Sequence, residues 1–447
     1  SPASSDYLDT LAHEFQHMIH WNEQRQADVW LNEGCATLSE NLNGFSTQSY
    51  ALSYLRQPDT QLTNWVSEPW AAMAHYGAAN LFLRYVYAQY IGAGSSLNEL
   101  IRADAGSHFD AFVPLAAARY PDISSFNTIF GDWAVANLLD DPTIADGRYA
   151  YPPLTDGTAH MDLPQQITPE PIDVGTFHGS VHQFGVDYLQ LPTGPVNLTF
   201  QGDTDVLLVG SLPADQAAWW SGRGDSSVAT LTRAFDFREL TSVTLELDLW
   251  YELEPAYDYA FVSISSDAGQ TWQTLPGQLT TTNDPQGANY GNGITGISGE
   301  PDATPGSGVR GIWVQETMDL SAYAGQEVLL RFWQINDEGF HAPGLLIDRI
   351  RIPELGYDHD GHTLPDGWQA AGFVPVDGTL PQQWELRLVR TLPDGRTQVE
   401  PLRTNDDGSA TVALAAGEQG VLLIAGVTPH TSEQTSYTVT IAAPDTP

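Results

Sequence analysis

Lysine is absent from this sequence of 447 residues, and cysteine occurs only once, at Cys35. A single cysteine excludes an internal disulfide, so stability has to come from buried cores and, where present, from bound metal. No apolar run is long enough to cross a bilayer, which predicts a chain without a membrane span. Residues 1–5 contain neither a basic region nor an apolar stretch, so no signal peptide is predicted there.

Positive charge is also scarce. The 17 basic residues, all of them arginine, stand against 56 acidic residues, which gives a formal net charge of −39. Such a charge repels nucleic acid and anionic lipid, so neither is an expected partner, whereas cations are expected ligands. The hydrophobic fraction of 42% is that of a globular protein, and the length predicts about three domains.

The spacing of apolar residues changes along the chain from helical to alternating. Up to about Leu139 the apolar positions recur at helical spacing, as in the stripe that runs from Tyr7 to Ile19. Residues 140–168 are rich in Asp, Pro, Gly and Thr, and later runs such as 243–249 have the composition of strands. We therefore predict a multidomain α + β chain with an all-helical lobe followed by antiparallel β-sandwich and jelly-roll modules. The predicted boundaries are 1–160 for the helical lobe, 161–215 for strands that pair with the C-terminal sandwich, 216–356 for a jelly roll and 357–447 for that sandwich.

The strongest signal is an H-E-x-x-H string within the first helical stretch. Positions i and i+4 share a face of a helix, so His13 and His17 can present imidazole nitrogens to one Zn²⁺. Glu14 is placed to accept a proton from a water that the metal activates. Such a string also arises by chance as a charged helix face with two solvated histidines, so a zinc site requires a third ligand.

A carboxylate on a second, antiparallel helix would complete a His₂Glu zinc site with one open position. The segment W-L-N-E-G-C-A, residues 30–36, begins such a helix, and its Glu33 is the preferred ligand. Glu40, one heptad later on the same face, is either a hydrogen-bond partner of a ligating histidine or a solvated charge. Three other candidates for the third ligand are His20, Glu23 and Asp28. The first would require a distorted helix, and the other two fall in the predicted connecting loop.

Together these motifs resemble the gluzincin metallopeptidases, in which H-E-x-x-H is followed by a helix that reads W-L-N-E-G-x-A. The form H-E-F-Q-H-M-I is similar to the hyicolysin-like branch of that family. The resemblance implies a side chain on a later helix that donates to the oxyanion. Tyr76 is the first candidate and His75 the second, because Y-G-A is similar to the corresponding segment of the aminopeptidases; a packed tyrosine is the alternative. The spacing between the motifs is shorter than in those aminopeptidases, so exopeptidase specificity is not implied.

Gluzincins also place a β-sheet before the H-E-x-x-H helix, and the edge strand of that sheet aligns the substrate backbone by strand addition. Only twelve residues precede His13 in this sequence. We therefore expect the sheet to belong to a separate N-terminal fragment or an upstream segment that completes the catalytic domain.

A second resemblance covers residues 219–353. The strings W-W-S-G-R-G-D, W-Y-E-L-E and G-L-L-I-D closely resemble the jelly-roll module that follows the catalytic part of immune inhibitor A peptidases. In such modules acidic residues at strand ends coordinate Ca²⁺, an ion that takes about 6–8 oxygen ligands. The resemblance implies calcium ligands, with ordinary surface charge as the alternative. The candidates are Asp225, Glu254, Asp258 and Asp348.

The combined features predict a secreted or cell-surface zinc endopeptidase that hydrolyses protein or peptide substrates by metal-activated water. Zn²⁺ and Ca²⁺ are its expected cofactors, and the β-modules are expected to position large substrates or to attach the enzyme to a surface. The alternative is a non-catalytic extracellular structural or adhesive protein that retains the zincin-like lobe.

Overall fold

The structure is a computed structural model, and it describes residues 4–25, 27–65, 69–92, 95–103, 108–154, 163–210, 217–340, 342–359 and 367–443. Within these residues the helices come first in the chain and the strands follow, which confirms the predicted helical lobe followed by antiparallel β-modules. The α-helices are α1 (Ser5–Glu23), α2 (Val29–Leu42), α3 (Gln48–Leu55), α4 (Pro69–Val86), α5 (Asn98–Ala103), α6 (Val113–Arg119) and α7 (Phe126–Leu139). Shorter helical turns are the π-helix Tyr87–Ile91 and the 3₁₀ turns His108–Phe112, Ser321–Tyr323 and Pro353–Leu355.

The strands begin after the helical lobe. They are β1 (Glu170–Pro171), β2 (Gly175–Val181), β3 (Asp187–Gln190), β4 (Val196–Gly202), β5 (Asp205–Leu207), β6 (Ala218–Trp220), β7 (Val228–Asp236), β8 (Thr244–Leu253), β9 (Tyr259–Ser265), β10 (Gln273–Thr274), β11 (Gly296–Ile297), β12 (Val314–Asp319), β13 (Glu327–Ile335), β14 (Gly344–Ile352), β15 (Tyr357–His359), β16 (Gln369–Ala371), β17 (Val374–Val376), β18 (Thr379–Pro381), β19 (Trp384–Thr391), β20 (Thr397–Leu402), β21 (Ser409–Leu414), β22 (Gln419–Gly426) and β23 (Thr435–Ala442).

The chain forms two compact units. Unit 1 consists of Ser1–Val206 together with Pro381–Pro447, and unit 2 consists of Leu207–Leu380. Unit 1 is therefore discontinuous in sequence, because unit 2 is inserted between two of its parts. The boundary predicted at residue 160 lies inside unit 1.

Helix α7 explains why the helices and the C-terminal strands belong to one unit. Ten of its 14 residues are buried, and a helix that is apolar on all sides needs cover on every side. On one side Trp133 contacts the rings of Tyr54 and Phe82, at centroid distances of 5.3 and 5.4 Å. The same core extends to Val389 of β19 and Leu423 of β22. One continuous core therefore joins the helical lobe to the sheet.

Unit 1 also contains a β-sandwich. Its two sheets have the strand orders β1-β3-β22-β19-β20 and β2-β23-β4-β21, and apart from the parallel pair β1–β3 the neighbours are antiparallel. In β4 every second residue is buried, and Leu198 and Phe200 lie in the core between the sheets. The strands of residues 170–202 thus pair with strands of residues 384–442.

Unit 2 is a second antiparallel sandwich around its own core. One sheet has the order β10-β9-β13-β7-β16, and the other has the order β11-β8-β14-β6-β17, with β12 paired to β8 and β15 paired to β14. Leu247 of β8 and Ile347 of β14 face Val262 of β9 and Phe332 of β13 within this core. Alternation of buried and less buried residues along β13 fixes the register of the sheet.

Helix α1 exposes its apolar side chains and buries polar ones. Gln16 and His20 are its buried residues, whereas a helix in a globular protein normally buries its apolar stripe. Six large apolar side chains, 43% to 66% exposed, form what we call the apolar stripe of α1: Tyr7, Leu8, Leu11, Phe15, Met18 and Trp21. A continuous exposed patch of this kind marks an interaction surface. None of the described helices combines the length and the apolar character needed to cross a membrane.

Candidate metal centre

Helices α1 and α2 lie side by side and bring the two sequence motifs together. The hydroxyl of Ser39 on α2 donates to the carbonyl oxygen of Ala12 on α1 at 3.2 Å. On its other side α2 packs closely on α4, because a β-carbon at Gly34 would lie only 2.6 Å from Cδ1 of Leu83. The residue before this glycine, Glu33, reaches α1.

Three side chains converge where the helices meet. Nε2 of His13 and Nε2 of His17 are 3.1 Å apart. Oε2 of Glu33 lies 3.3 Å from the first of these nitrogens and 3.7 Å from the second. One ligand atom from each residue therefore lies within 4.8 Å of the other two. We call His13, His17 and Glu33 the ligand cluster.

The other ring nitrogen of each histidine has a partner on α2. Nδ1 of His13 lies 2.7 Å from Oε1 of Glu40, and Nδ1 of His17 lies 3.0 Å from Oδ1 of Asn32. Because both partners are acceptors, each Nδ1 can donate a hydrogen bond to its partner, and each Nε2 faces the cluster. Sequence reasoning missed Asn32, although its position directly before Glu33 on a helix beside α1 was a usable signal.

The electrostatics of the cluster favour a positive charge. Burial lowers the pKa of His13, but the neighbouring carboxylates of Glu33 and Glu40 outweigh burial and raise this pKa to about 10. Burial raises the pKa of Glu40, and the neighbouring Asp9 raises it further, while the hydrogen bond with His13 opposes both. The two carboxylates thus stabilise a cation at the histidine rings.

The residues present fit a zinc ion. The buried Oε2 of Glu33 has no hydrogen-bond partner among the residues that the structure describes. A buried carboxylate oxygen without a donor is costly, and a metal ion removes that cost. Two imidazole nitrogens and one carboxylate oxygen are the protein ligands of a common class of catalytic zinc site, which keeps its fourth position open.

Tyr76 on α4 lies within electrostatic reach of the cluster. Burial raises its pKa above the ordinary value, and the charges of Glu33 and Glu14 raise it further, as does Tyr50. The ring of Tyr50 stacks on that of Tyr76 at a centroid distance of 5.1 Å. Gly77 permits this approach, because a β-carbon there would collide with the backbone of Tyr50. The raised pKa keeps the Tyr76 hydroxyl protonated and able to donate a hydrogen bond.

His75, the second candidate for the oxyanion donor, has other neighbours. Its Nδ1 lies 3.0 Å from the carbonyl oxygen of Gln61, and its ring lies 5.7 Å from that of Trp65. Burial lowers its pKa to about 4, and the charge of His182 acts in the same direction. Of the two candidates, only Tyr76 has a pKa that is shifted by the charge of Glu33, a residue of the ligand cluster.

The three alternative third ligands are not part of the ligand cluster. Burial, with a smaller contribution from the charge of His17, lowers the pKa of His20 to about 4. Glu23 pairs with Nε of Arg102 at 3.1 Å. Asp28 immediately precedes α2. Among the described residues, Glu33 is the carboxylate that approaches both histidines.

A second group of acidic side chains lies in unit 2. Carboxylate oxygens of Glu254, Asp258 and Asp337 lie within 4.8 Å of one another. Burial, together with the charges of Asp337 and Asp225, raises the pKa of Glu254 to about 7. Oδ1 of Asp258 accepts a hydrogen bond from the backbone of Asp337 at 3.1 Å, whereas its buried Oδ2 has no partner in the described part of the chain. This arrangement has the oxygen-rich, negatively charged character of a calcium site. We call Glu254, Asp258 and Asp337 the acidic cluster; Asp225, another calcium candidate from the sequence, is not among the residues within 4.8 Å of one another.

The fourth calcium candidate from the sequence, Asp348, lies elsewhere. It occupies the bulge of β14 between Ile347 and Arg349, outside the group within 4.8 Å. Asp337 was not predicted, because nothing in its local sequence distinguishes it from other acids. It follows β13, whose Ile335 pairs with Tyr259 of β9, and this pairing brings it beside Asp258.

Comparison with known proteins identifies part of the chain. Residues 211–378 match the family model described as Immune inhibitor A-like, MAM domain. This range contains the jelly roll predicted at 216–356, and it coincides closely with unit 2.

Two relatives are distant and partial. The pre-pro-metalloprotease PrtV of Vibrio cholerae serotype O1 is 32% identical over 170 residues, which are 38% of this chain and 16% of that protein. Immune inhibitor A of Bacillus thuringiensis subsp. alesti is 29% identical over 165 residues, which are 36% of this chain and 21% of that protein. These matches cover only the MAM region. The chain therefore contains an immune inhibitor A-like MAM domain, through which it is a partial and distant relative of these proteins.

Proposed function

We propose that this chain carries the zinc site of a secreted or cell-surface endopeptidase of the gluzincin type. The observation that carries the proposal is the convergence of His13, His17 and Glu33 on two neighbouring helices. The partial similarity to a protein named as a metalloprotease supports it, although that similarity is confined to the MAM region.

The residues around the cluster have distinct roles in hydrolysis of a peptide bond. His13, His17 and Glu33 would hold a zinc ion, which would supply the Lewis acid that polarises the scissile carbonyl and activates a water molecule. Glu14 follows His13 on α1, and its exposed carboxylate accepts the proton of the attacking water and passes it to the leaving amine.

Side chains on α2 and α4 complete the site. The Tyr76 hydroxyl donates a hydrogen bond to the oxygen that gains negative charge as the water attacks. Glu40 and Asn32 accept hydrogen bonds from the two histidines and so hold both rings in the orientation that ligation requires.

The apolar stripe of α1 supports an additional partner, a β-sheet from a separate N-terminal fragment or an upstream segment. A second copy of this chain is disfavoured, because each copy has a net charge of −39 and the two would repel each other. Among the described residues the first strand begins at Glu170, so none of the described strands precedes α1. A preceding sheet would bury the stripe and offer its edge to the substrate backbone.

The alternative function is a non-catalytic extracellular structural or adhesive role for a chain that retains the zinc site. It is favoured by the same observation about strands: without a partner, the described part of the helical lobe offers no strand edge on which a peptide could be aligned.

We expect the purified chain to contain about one zinc ion per molecule in elemental analysis. A zinc chelator should remove the ion and abolish hydrolysis of an unfolded protein, measured with the partner of α1 present, and added Zn²⁺ should restore it. Zinc without hydrolysis of any unfolded protein would favour the alternative function. A chain that retains no zinc would contradict both functions.

The acidic cluster of unit 2 is proposed as a Ca²⁺ site that stabilises this unit. Burial, together with the charges of Asp337 and Glu254, raises the pKa of Asp258 to about 8, so the ionised carboxylate is disfavoured in this environment. A calcium ion would relieve the repulsion between these charges and ligate the buried Oδ2 of Asp258.

We expect removal of calcium to lower the melting temperature of unit 2 in the full chain. An ion present at 100 times its dissociation constant stabilises the folded state by ~2.7 kcal/mol, which corresponds to a shift of roughly 5–10 °C. Scanning calorimetry with saturated zinc, with and without calcium, measures the shift. Asp258→Asn should lose the calcium dependence, while Asp348→Asn serves as a matched control and should keep it. If calcium removal lowers the melting temperature equally in both variants, the acidic cluster is not the calcium site and its carboxylates are ordinary charges.

A further inference from the structure

One sheet of unit 1 has no carboxylate or guanidinium group in its strands, although Asp203 and Asp407 lie in the loops beside it. This is the sheet β2-β23-β4-β21, and none of its four strands contains Asp, Glu or Arg. In β4 the buried residues alternate with exposed ones, and the other strands follow a similar pattern. We call the outward positions of these four strands the neutral face.

A row of threonines crosses the neutral face. The register pairs Thr176 with Thr440, Thr440 with Thr199, and Thr199 with Thr411, so each strand contributes one threonine. The hydroxyl oxygens of Thr176 and Thr440 are 3.4 Å apart. Because neighbouring strands are ~4.8 Å apart, the row is roughly 14 Å long.

A second polar row runs beside the first, two residues further along each strand. It consists of His178, Thr438, Gln201 and Ser409. Nδ1 of His178 lies 3.2 Å from Oγ1 of Thr438. An open depression of about 630 Å³ lies over this part of the sheet, and Asp203, in the loop after β4, also lines it. Hydroxyl, amide and imidazole groups therefore form a regular array of donors and acceptors.

The lack of charge on this face contrasts with the rest of the molecule. The chain has a net charge of −39, and the neighbouring sheet of unit 1 carries the ion pair between Arg390 and Glu400. β2 and β21 are the edge strands of the neutral sheet, and soluble proteins normally protect such edges with charged side chains. Solubility alone therefore does not account for this surface.

We propose that the neutral face binds an uncharged, hydroxyl-rich polysaccharide. Threonine, serine and glutamine side chains both donate and accept hydrogen bonds, as sugar hydroxyls do. A neutral polymer covers such a face without burying an unpaired charge, which would be costly. The regular rows allow one chain of sugars to make many weak contacts, which add up to retention on a polymer surface. This binding is independent of the proposed zinc chemistry.

Sedimentation of the full chain with insoluble polysaccharide tests the proposal. The probes are microcrystalline cellulose and chitin, and carboxymethyl-cellulose is the anionic comparison. We expect saturable binding to at least one neutral polymer, little effect of salt, and no binding to the anionic polymer. Thr199→Glu should weaken binding by about tenfold or more, because it places an unpaired charge in the centre of the face.

Two further variants keep the test decisive. Gln398→Glu adds the same charge at an exposed position of β20, on the other sheet, and should bind like the wild type. Thr199→Val keeps the strand shape, removes one hydroxyl and should weaken binding by about 2- to 10-fold.

No binding by the wild type, or equal binding by all variants, would overturn the proposal. So would a wild-type dimer in ultracentrifugation that Thr199→Glu dissociates, because the face would then belong to a second copy. Zinc content should be the same in every variant, which separates this test from that of the zinc site.

Discussion

Glu14→Gln should leave the zinc content unchanged while hydrolysis of an unfolded protein falls by ~10²-fold or more. Glutamine keeps the size of the side chain and the helix propensity of the position, but it cannot accept a proton at neutral pH. Glu14 has no part in the ligand cluster, so His13 and His17 remain in place. Elemental analysis and initial rates, measured on the same preparation with the partner of α1 present, test both halves of the prediction.

Glu23→Gln provides the matched control. Glu23 is a carboxylate at the end of the same helix and pairs with Arg102 on the protein surface, so its loss should change neither zinc content nor rate. If Glu14→Gln retains zinc and the wild-type rate, Glu14 is not the general base. If it loses zinc, the change has disturbed the ligand cluster and the rate cannot be assigned to proton transfer.

Glu33→Gln should weaken zinc binding by more than about 100-fold, because it replaces a charged ligand oxygen with a neutral amide. Glu40→Gln should have a smaller effect, of about 10- to 100-fold, because it changes only the hydrogen bond to Nδ1 of His13. Competition with a chelator of known zinc affinity measures both values. The two residues lie on one helix and undergo the same chemical change, so each variant is a control for the other.

The ranking of the two variants is the decisive result. Stronger zinc loss from Glu40→Gln, or equal loss from both, would remove Glu33 as the third ligand. In that case Glu40 would have to bind the metal directly. Its 2.7 Å contact with Nδ1 of His13 would then not be a hydrogen bond that only orients the ring.

The sequence was sufficient to predict the ligand cluster because each part of it is local. The spacing of His13 and His17 needs only one turn of helix, and Glu33 needs only a second helix that returns along the first. The fold class followed from the change of periodicity after residue 139, and it is confirmed. The helical spacing of the two histidines and the change of periodicity do not depend on how the elements pack, whereas the position of Glu33 depends on α2 packing against α1.

Other features depend on tertiary packing between distant elements and could not be predicted from the sequence. The spacing from Tyr7 to Ile19 indicated a helix, but periodicity does not tell which side a neighbour covers, and the exposure of the apolar stripe appears only in the structure. Asp337 joins Asp258 across about 80 positions of sequence through the pairing of β13 with β9. The threonine row likewise exists only because the register of four strands brings four separate residues into line.

The insertion of unit 2 has a consequence for synthesis of the chain. In the described sheet β2 pairs only with β23, and Thr176 and Thr440, which face each other there, are 264 positions apart. At a translation rate of ~5–20 residues per second, β2 waits roughly 13–50 s for its partner, and all of unit 2 emerges in that interval. Throughout this time the uncharged strands β2 and β4 lack their native neighbours, so their edges are open to pairing with other chains until β21 and β23 have been made.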